Sequence, residues 1–129
     1  MYENGNVPTS KGQRKLRGII GGILNYPIGP YSADILWFNG IVVEYDGSGH
    51  DMRVTRHLLT EEEFNLKENI RESFFINENR LKIIRIINKH DKDIFNIEFL
   101  DPIFKKCVNL LENGRDIVSY DVDTNTYKY

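Results

Sequence analysis

Apolar positions in this chain fall into runs of two different periods, and the alternation between them sets out the elements. From Ser10 to about Leu24, the residues Leu16, Ile19, Ile20, Ile23 and Leu24 recur at steps of three and four. That spacing predicts a helix, with Ser10 as its N-cap. Gly18, Gly21 and Gly22 each weaken it by about 1 kcal/mol relative to Ala, and close packing against a neighbour would explain them. The stretch 26–30, with Pro27, Gly29 and Pro30, then breaks the helix. Two short β-prone segments follow, 33–38 and 41–46, joined across Asn39-Gly40, a strong hairpin signal. Thr60 followed by Glu63 is a capping box, opening a helix to about Asn79 with Leu66, Ile70 and Phe74 along one face. Residues 81–87 are β-branched and apolar on both faces, as an interior strand requires. Residues 94–100 fit strand or helix. Asp101-Pro102 reads as a cap and first helical residue, and Gly114 as the end of that helix. A last strand is expected over 116–121, then a short polar-aromatic tail. No repeat or linker divides the chain, so 1–9 reads as a flexible arm and 10–129 as one domain. Its expected class is α/β of the α+β type.

The register of the hairpin decides which side chains share a face. A two-residue Asn39-Gly40 loop pairs Phe38 with Ile41 and sets Asp34 opposite Tyr45, on the wrong side. A three-residue loop, 38–40 with Gly40 left-handed in a bulge, pairs Trp37 with Ile41 and sets Asp34 opposite Glu44. The second register also gathers Ile35, Trp37, Ile41, Val43 and Tyr45 on one apolar face. A one-residue slip flips every side chain, so hydrophobic matching selects the three-residue loop. Asp34, Glu44 and Asp46 then project together, because residues two apart in a strand face the same way.

Three acids on one strand face repel one another unless a cation sits between them. All-oxygen ligation suits Mg²⁺ or Mn²⁺ rather than zinc. Such an ion polarises a phosphate oxygen and lowers the pKa of a bound water. His50, just past the glycine loop at 47–49, is near enough to act as a base or to donate to a phosphate. The other reading of the same residues makes Asp34 and Asp46 caps of strand ends.

Composition narrows the function classes. Of 129 residues, 40% are hydrophobic and 28% charged, enough for a packed core. No apolar run approaches the roughly 18–20 residues of a membrane span. The polar start of the chain lacks the apolar core of a secretory signal, so a soluble, cytoplasmic protein is expected. The single Cys107 excludes a disulfide framework and a Cys-rich zinc site, and its place on the apolar side of the last helix marks it as packing. Gly18 to Gly22 lacks the Lys-Ser/Thr of a phosphate loop, so no nucleotide cofactor is expected. The net charge of −2 rules out a uniformly basic nucleic-acid binder. Lys11, Arg14, Lys15 and Arg17 nevertheless cluster on the first helix. Taken alone they read as a solvated face, although local phosphate contacts do not depend on net charge. Arg71 and Arg85 fit phosphate contacts or ion pairs with Glu68 or Glu72 equally well. Arg53, Arg56 and His57 fit a DNA-facing loop or a solvated one. His90 shows no local partner, and Trp37 and Tyr45 read as core.

Asp34, nine intervening residues, and then the run Glu44, Tyr45, Asp46, Gly47, Ser48, Gly49, His50 resemble the D…E-x-D-G-x-x-H signature of one branch of the PD-(D/E)XK, or restriction-endonuclease-like, nucleases. That branch contains the very-short-patch repair endonuclease and many small relatives. Glu68, Arg71, Phe75 and Asn79, followed by Lys82 to Ile86 with Arg85, are similar to its helix-then-strand pattern. Ser10, Lys11, Gln13 and Leu16 resemble its first helix, so the likeness runs over about 10–88. It implies a restriction-endonuclease-like core: a central mixed sheet containing a β-hairpin, with helices on both sides. It implies Asp34 and Glu44 as metal ligands, with Asp46 where the wider superfamily has a lysine. His50 would be the catalytic or phosphate-contacting histidine. Gln13 stands where the family often has a glutamate, and the repair enzyme's zinc site has no counterpart.

The expected activity is Mg²⁺-dependent hydrolysis of DNA phosphodiester bonds, and the resemblance implies that it leaves a 5′-phosphate and a 3′-hydroxyl. Double-stranded DNA is the expected partner, gripped by the basic first helix. With no visible recognition domain, such a nuclease would cut as a homodimer, act at a nick or branch, or serve a phage or other mobile element. The rival readings are a nuclease fold that binds nucleic acid without cutting it, and a small phage or mobile-element regulatory protein.

Overall fold

A computed structural model of the chain describes residues 10–48 and 60–129. The expectations placed on 1–9 and on Gly49, His50, Arg53, Arg56 and His57 lie outside the described residues.

The first helix, α1 (Lys11–Ile20), is capped by Ser10, whose hydroxyl accepts from the Gln13 amide at 3.0 Å. It stops four residues earlier than its apolar spacing suggests. Gly21 and Gly22 take φ of 83° and 103°, backbone that a side chain resists, and they turn Ile23 and Leu24 into a strand. That strand, β1 (Ile23–Ile28), was not expected from the sequence. It pairs antiparallel with β2 (Tyr31–Leu36) across the Gly29-Pro30 turn, from Ile28 opposite Tyr31 to Ile23 opposite Leu36. Pro27 is tolerated there because β1 lies at the sheet edge.

Next come β3 (Ile41–Asp46), α2 (Glu61–Ser73), β4 (Lys82–Ile87), α3 (Ile97–Glu112), β5 (Ile117–Asp121) and β6 (Thr126–Lys128). Strand order in the six-stranded sheet follows the sequence. The first three strands are antiparallel, β3, β4 and β5 are parallel, and β6 returns antiparallel. Among the described residues the architecture is therefore α+β with a mixed sheet and three α-helices. β4 is interior, as its two-sided apolar pattern requires. The short polar-aromatic tail expected after the last strand forms β6, with Tyr127 packed on the core.

Three helix details differ from the sequence expectation. The capping box at Thr60 and Glu63 forms as expected, but α2 ends in a wider π turn over Phe74–Glu78. Leu66 and Ile70 are 60% and 51% exposed. The helix instead presents Phe64, Glu68, Arg71 and Phe75 inward, because the sheet beneath it is partly charged. The last helix starts one turn before Asp101: Asn96 is its N-cap, accepting from the Phe99 amide at 2.9 Å. Pro102 sits inside it, and without an amide hydrogen it cannot donate to the Glu98 carbonyl one turn back. Gly114 closes the helix with φ 101°.

Among the described residues, two clusters form the interior. Under α1 and α3 lies the larger, including Leu16, Ile35, Val43, Ile84, Phe104, Cys107 and Val118. On the opposite face, Ile28, Ala33, Val42 and Ile83 pack against Phe75 at the end of α2.

Candidate active site

The three-residue hairpin loop is present. Trp37 donates to the Ile41 carbonyl at 2.8 Å and Ile41 donates back to Phe38 at 3.2 Å, with Asn39 and Gly40 at φ 55° and 68°. Ile35 lies opposite Val43 and Leu36 opposite Val42. Continuing that register sets Asp34 beside Glu44. Ile35, Ile41, Val43 and Tyr45 share the large core, with Trp37 packed against it.

At Asp34 side chains take over from the backbone ladder. The Asp34 amide donates to Glu44 Oε2 at 3.0 Å, and the Tyr45 amide donates to Asp34 Oδ2 at 2.9 Å. Across β1 the matching position is Asn25, at φ 50°. Gln13 Nε2 donates to both Asn25 Oδ1 and the Asp34 carbonyl, each at 3.0 Å. The buried glutamine of α1 thus braces the backbone that carries Asp34. Strand alternation breaks here: Ala33 joins the smaller cluster and Ile35 the larger.

Glu44 is 4% exposed, a costly place for a charge without a partner. Its partner is Arg71, whose Nη1 pairs with Oε1 while Nη2 donates to the Ser32 carbonyl at 2.7 Å. Asp46 pairs with Arg85 Nε at 3.3 Å, and Arg85 also reaches Glu72. Glu68 stands 3.9 Å from both guanidinium groups. Ion pairing, one of the two readings open for Arg71 and Arg85, is what both residues do.

Burial, the Glu44 charge and, to a lesser degree, the Asp46 charge push the Asp34 carboxyl up to about 8, against the pull of the Tyr45 amide and Arg71. Glu68 is raised by burial. Burial would lower Arg71, but the charges of Glu44, Glu68 and Asp34 and the bond to Glu44 together outweigh it, and the guanidinium is held more firmly charged. The site therefore contains an acid whose ionisation is opposed by its neighbours, and added positive charge would restore it.

These groups open into a cleft of about 740 Å³. Asp34, Glu44, Asp46 and Arg71 line it, and so do Ser10, Lys11, Gln13 and Lys15 from the first turns of α1. Gly12 lets the helix come this close, since a Cβ there would stand 2.4 Å from the Tyr45 ring. Arg14, Arg17 and Arg85 do not line the cleft. Arg14 is exposed, and Arg17 Nε donates to the Gly22 carbonyl at 3.0 Å, closing the helix end. Among the described residues, no three His, Cys, Asp or Glu side chains form a ready metal-binding group. Asp34 and Glu44 adjoin, whereas Asp46 is drawn toward Arg85.

Sequence reasoning missed Asp91, which also lines the cleft. Tyr45 Oη donates to Asp91 Oδ1 at 2.8 Å, and the Ser48 amide and hydroxyl both donate to Oδ2. The fully buried Asn88 donates to Tyr45 Oη at 3.1 Å. Burial alone would raise Asp91, but these donors hold its carboxyl below the usual range. Tyr45 is thus core with a hydrogen-bonded tip. The only sequence signal was a polar turn after β4. His90, read as lacking a local partner, is exposed and meets Asp123 at 2.9 Å from another turn.

Comparison with family models, curated proteins and solved structures finds no match for the chain. Among the described residues, no helix is long and apolar enough to cross a membrane.

Proposed function

We propose that this chain is a small metal-dependent endonuclease with a restriction-endonuclease-like core, hydrolysing DNA phosphodiester bonds. One observation carries the reading: Asp34 and Glu44 meet side by side at a cleft whose other wall is the lysine-bearing start of α1. The donor set fits a hard dication, because every candidate ligand is an oxygen, and burial together with the Glu44 charge opposes an ionisation of Asp34 that added positive charge would favour. Asp34 and Glu44 would hold Mg²⁺ or Mn²⁺, while Asp46 stays paired with Arg85. Such an ion, when bound, supplies the charge that polarises a phosphate oxygen and eases deprotonation of water.

The chain's own residues do the rest. Lys11 and Lys15 draw the phosphate backbone to the cleft. Gln13 fixes the main chain at Asp34, and Tyr45 holds one carboxylate oxygen through its amide. His50, outside the described residues, is the proposed base or phosphate donor.

Nicking of supercoiled plasmid tests this. Wild-type protein is expected to nick with Mg²⁺ and not with EDTA. Glu44→Gln is expected to lose at least about a hundredfold of that rate while keeping a cooperative melt. A folded Glu44→Gln protein that nicks at the wild-type rate removes the assignment.

A second reading is a binding module with the same fold and no cleavage. The pairing of Glu44 with Arg71 favours it, since the buried carboxylate is already compensated. DNA binding without Mg²⁺-dependent nicking by the wild type selects it.

A further inference from the structure

Both oxygens of the buried Glu44 carboxylate are engaged. Oε2 accepts from the Asp34 amide at 3.0 Å, and Oε1 pairs with Arg71 Nη1. The first donor is main chain, fixed by the sheet. The second is the end of a long side chain with three further holds, one of them Glu68 at 3.9 Å. Arg71 Nη2 donates to the Ser32 carbonyl at 2.7 Å, and its guanidinium lies 4.7 Å over the Phe75 ring. A dication and a guanidinium on one carboxylate oxygen repel strongly in so buried a place. For Glu44 to ligate a cation, the contact that yields is therefore the one to Arg71.

We propose, resting on the nuclease reading above, that Arg71 is a positioning residue that competes with the divalent cation for Glu44. In the resting protein it compensates the buried carboxylate. When the cation binds, Arg71 leaves Oε1 but stays over the cleft, tethered by Ser32 and Phe75. Its guanidinium is then free to take a phosphate oxygen, in the bidentate manner that suits arginine. Metal affinity and the seating of Arg71 are two sides of one equilibrium.

Calorimetric titration with Mn²⁺ alone tests the competition. Arg71→Met keeps the stem against Phe75 and is expected to bind Mn²⁺ about tenfold or more tightly than wild type, whereas Glu44→Gln is expected to lose binding. In the wild-type protein, the Arg71 Nε–H signal of ¹⁵N-labelled material is expected to move as Mg²⁺ is added, with the midpoint of metal binding. This second measurement needs no variant and reports the displacement itself. Unchanged or weaker Mn²⁺ affinity in folded Arg71→Met, or an Arg71 signal that stays put while Mg²⁺ saturates, overturns the proposal and leaves the nuclease reading standing. Absence of Mn²⁺ binding by wild type and both variants overturns the two together.

Discussion

On one face of the sheet, Ile35, Val43, Ile84 and Val118 stand in register across four strands, all fully buried. One residue along, on the other face, the row reads Glu44, Arg85 and Ser119, with Asp34 next to Glu44. The first row is covered by α1 and α3 and needs nothing but shape. Each such side chain contributes about 1.5–3 kcal/mol by leaving water. The second row is covered by α2, which answers with Glu68, Arg71 and Glu72. Buried ion pairs of this kind roughly offset their own desolvation, so they contribute little net stability but are costly to break singly. The apolar face holds the fold, and the charged face fixes where a few oxygens stand.

That division can be tested by melting variants of each row. Ile84→Ala is expected to cost about 2–5 kcal/mol, through lost burial and the cavity left behind, read from chemical denaturation. A loss below about 1 kcal/mol would mean that the apolar row is not the main support.

Asp34 gives a pH signature of the other row. Its carboxyl is raised by burial and by Glu44 to about 8, so the folded protein holds a proton that the unfolded chain releases near pH 4. The unfolded state then binds fewer protons, and this group's stabilising effect is complete below about pH 4 and declines as pH rises toward about 8. The melting temperature of Asp34→Asn is expected to lose that downward slope. An identical pH profile in the two proteins would place Asp34 in a less buried setting.

The smallest effect should come from the outer side of α2. Ile70→Lys, at a half-exposed position, is expected to change stability by no more than about 0.5 kcal/mol. A large loss would show that this side of the helix is covered.

The hairpin was legible because its face is two-sided in consequence: a slip of one residue would have buried Glu44 in the large core and exposed Val43. β4 was legible for the same kind of reason, being apolar on both sides. Strand β1 was not, since Ile23 and Leu24 continue the helical spacing of α1 and only two left-handed glycines interrupt it. The inward side of α2 was hidden because Leu66 and Ile70 look like a buried stripe. What faces the sheet is set by Glu44 and Arg85, far away in sequence. Of the acid group, Asp34 and Glu44 follow from register, but the pairings of Arg71 and Arg85 require α2 to be docked. Asn25 and Asp91 act on the site across two turns, with no local pattern to announce them.

One border of the sheet carries Pro27, which has no amide hydrogen, and a left-handed kink at Asn25. The other is a strand of only three residues, Thr126–Lys128. Neither offers a long, straight row of free amides and carbonyls to a passing chain. A protein so rich in isoleucine strands is thereby guarded against growing into fibrils edge by edge, and one of those safeguards, Asn25, is tied through Gln13 to the main chain at Asp34.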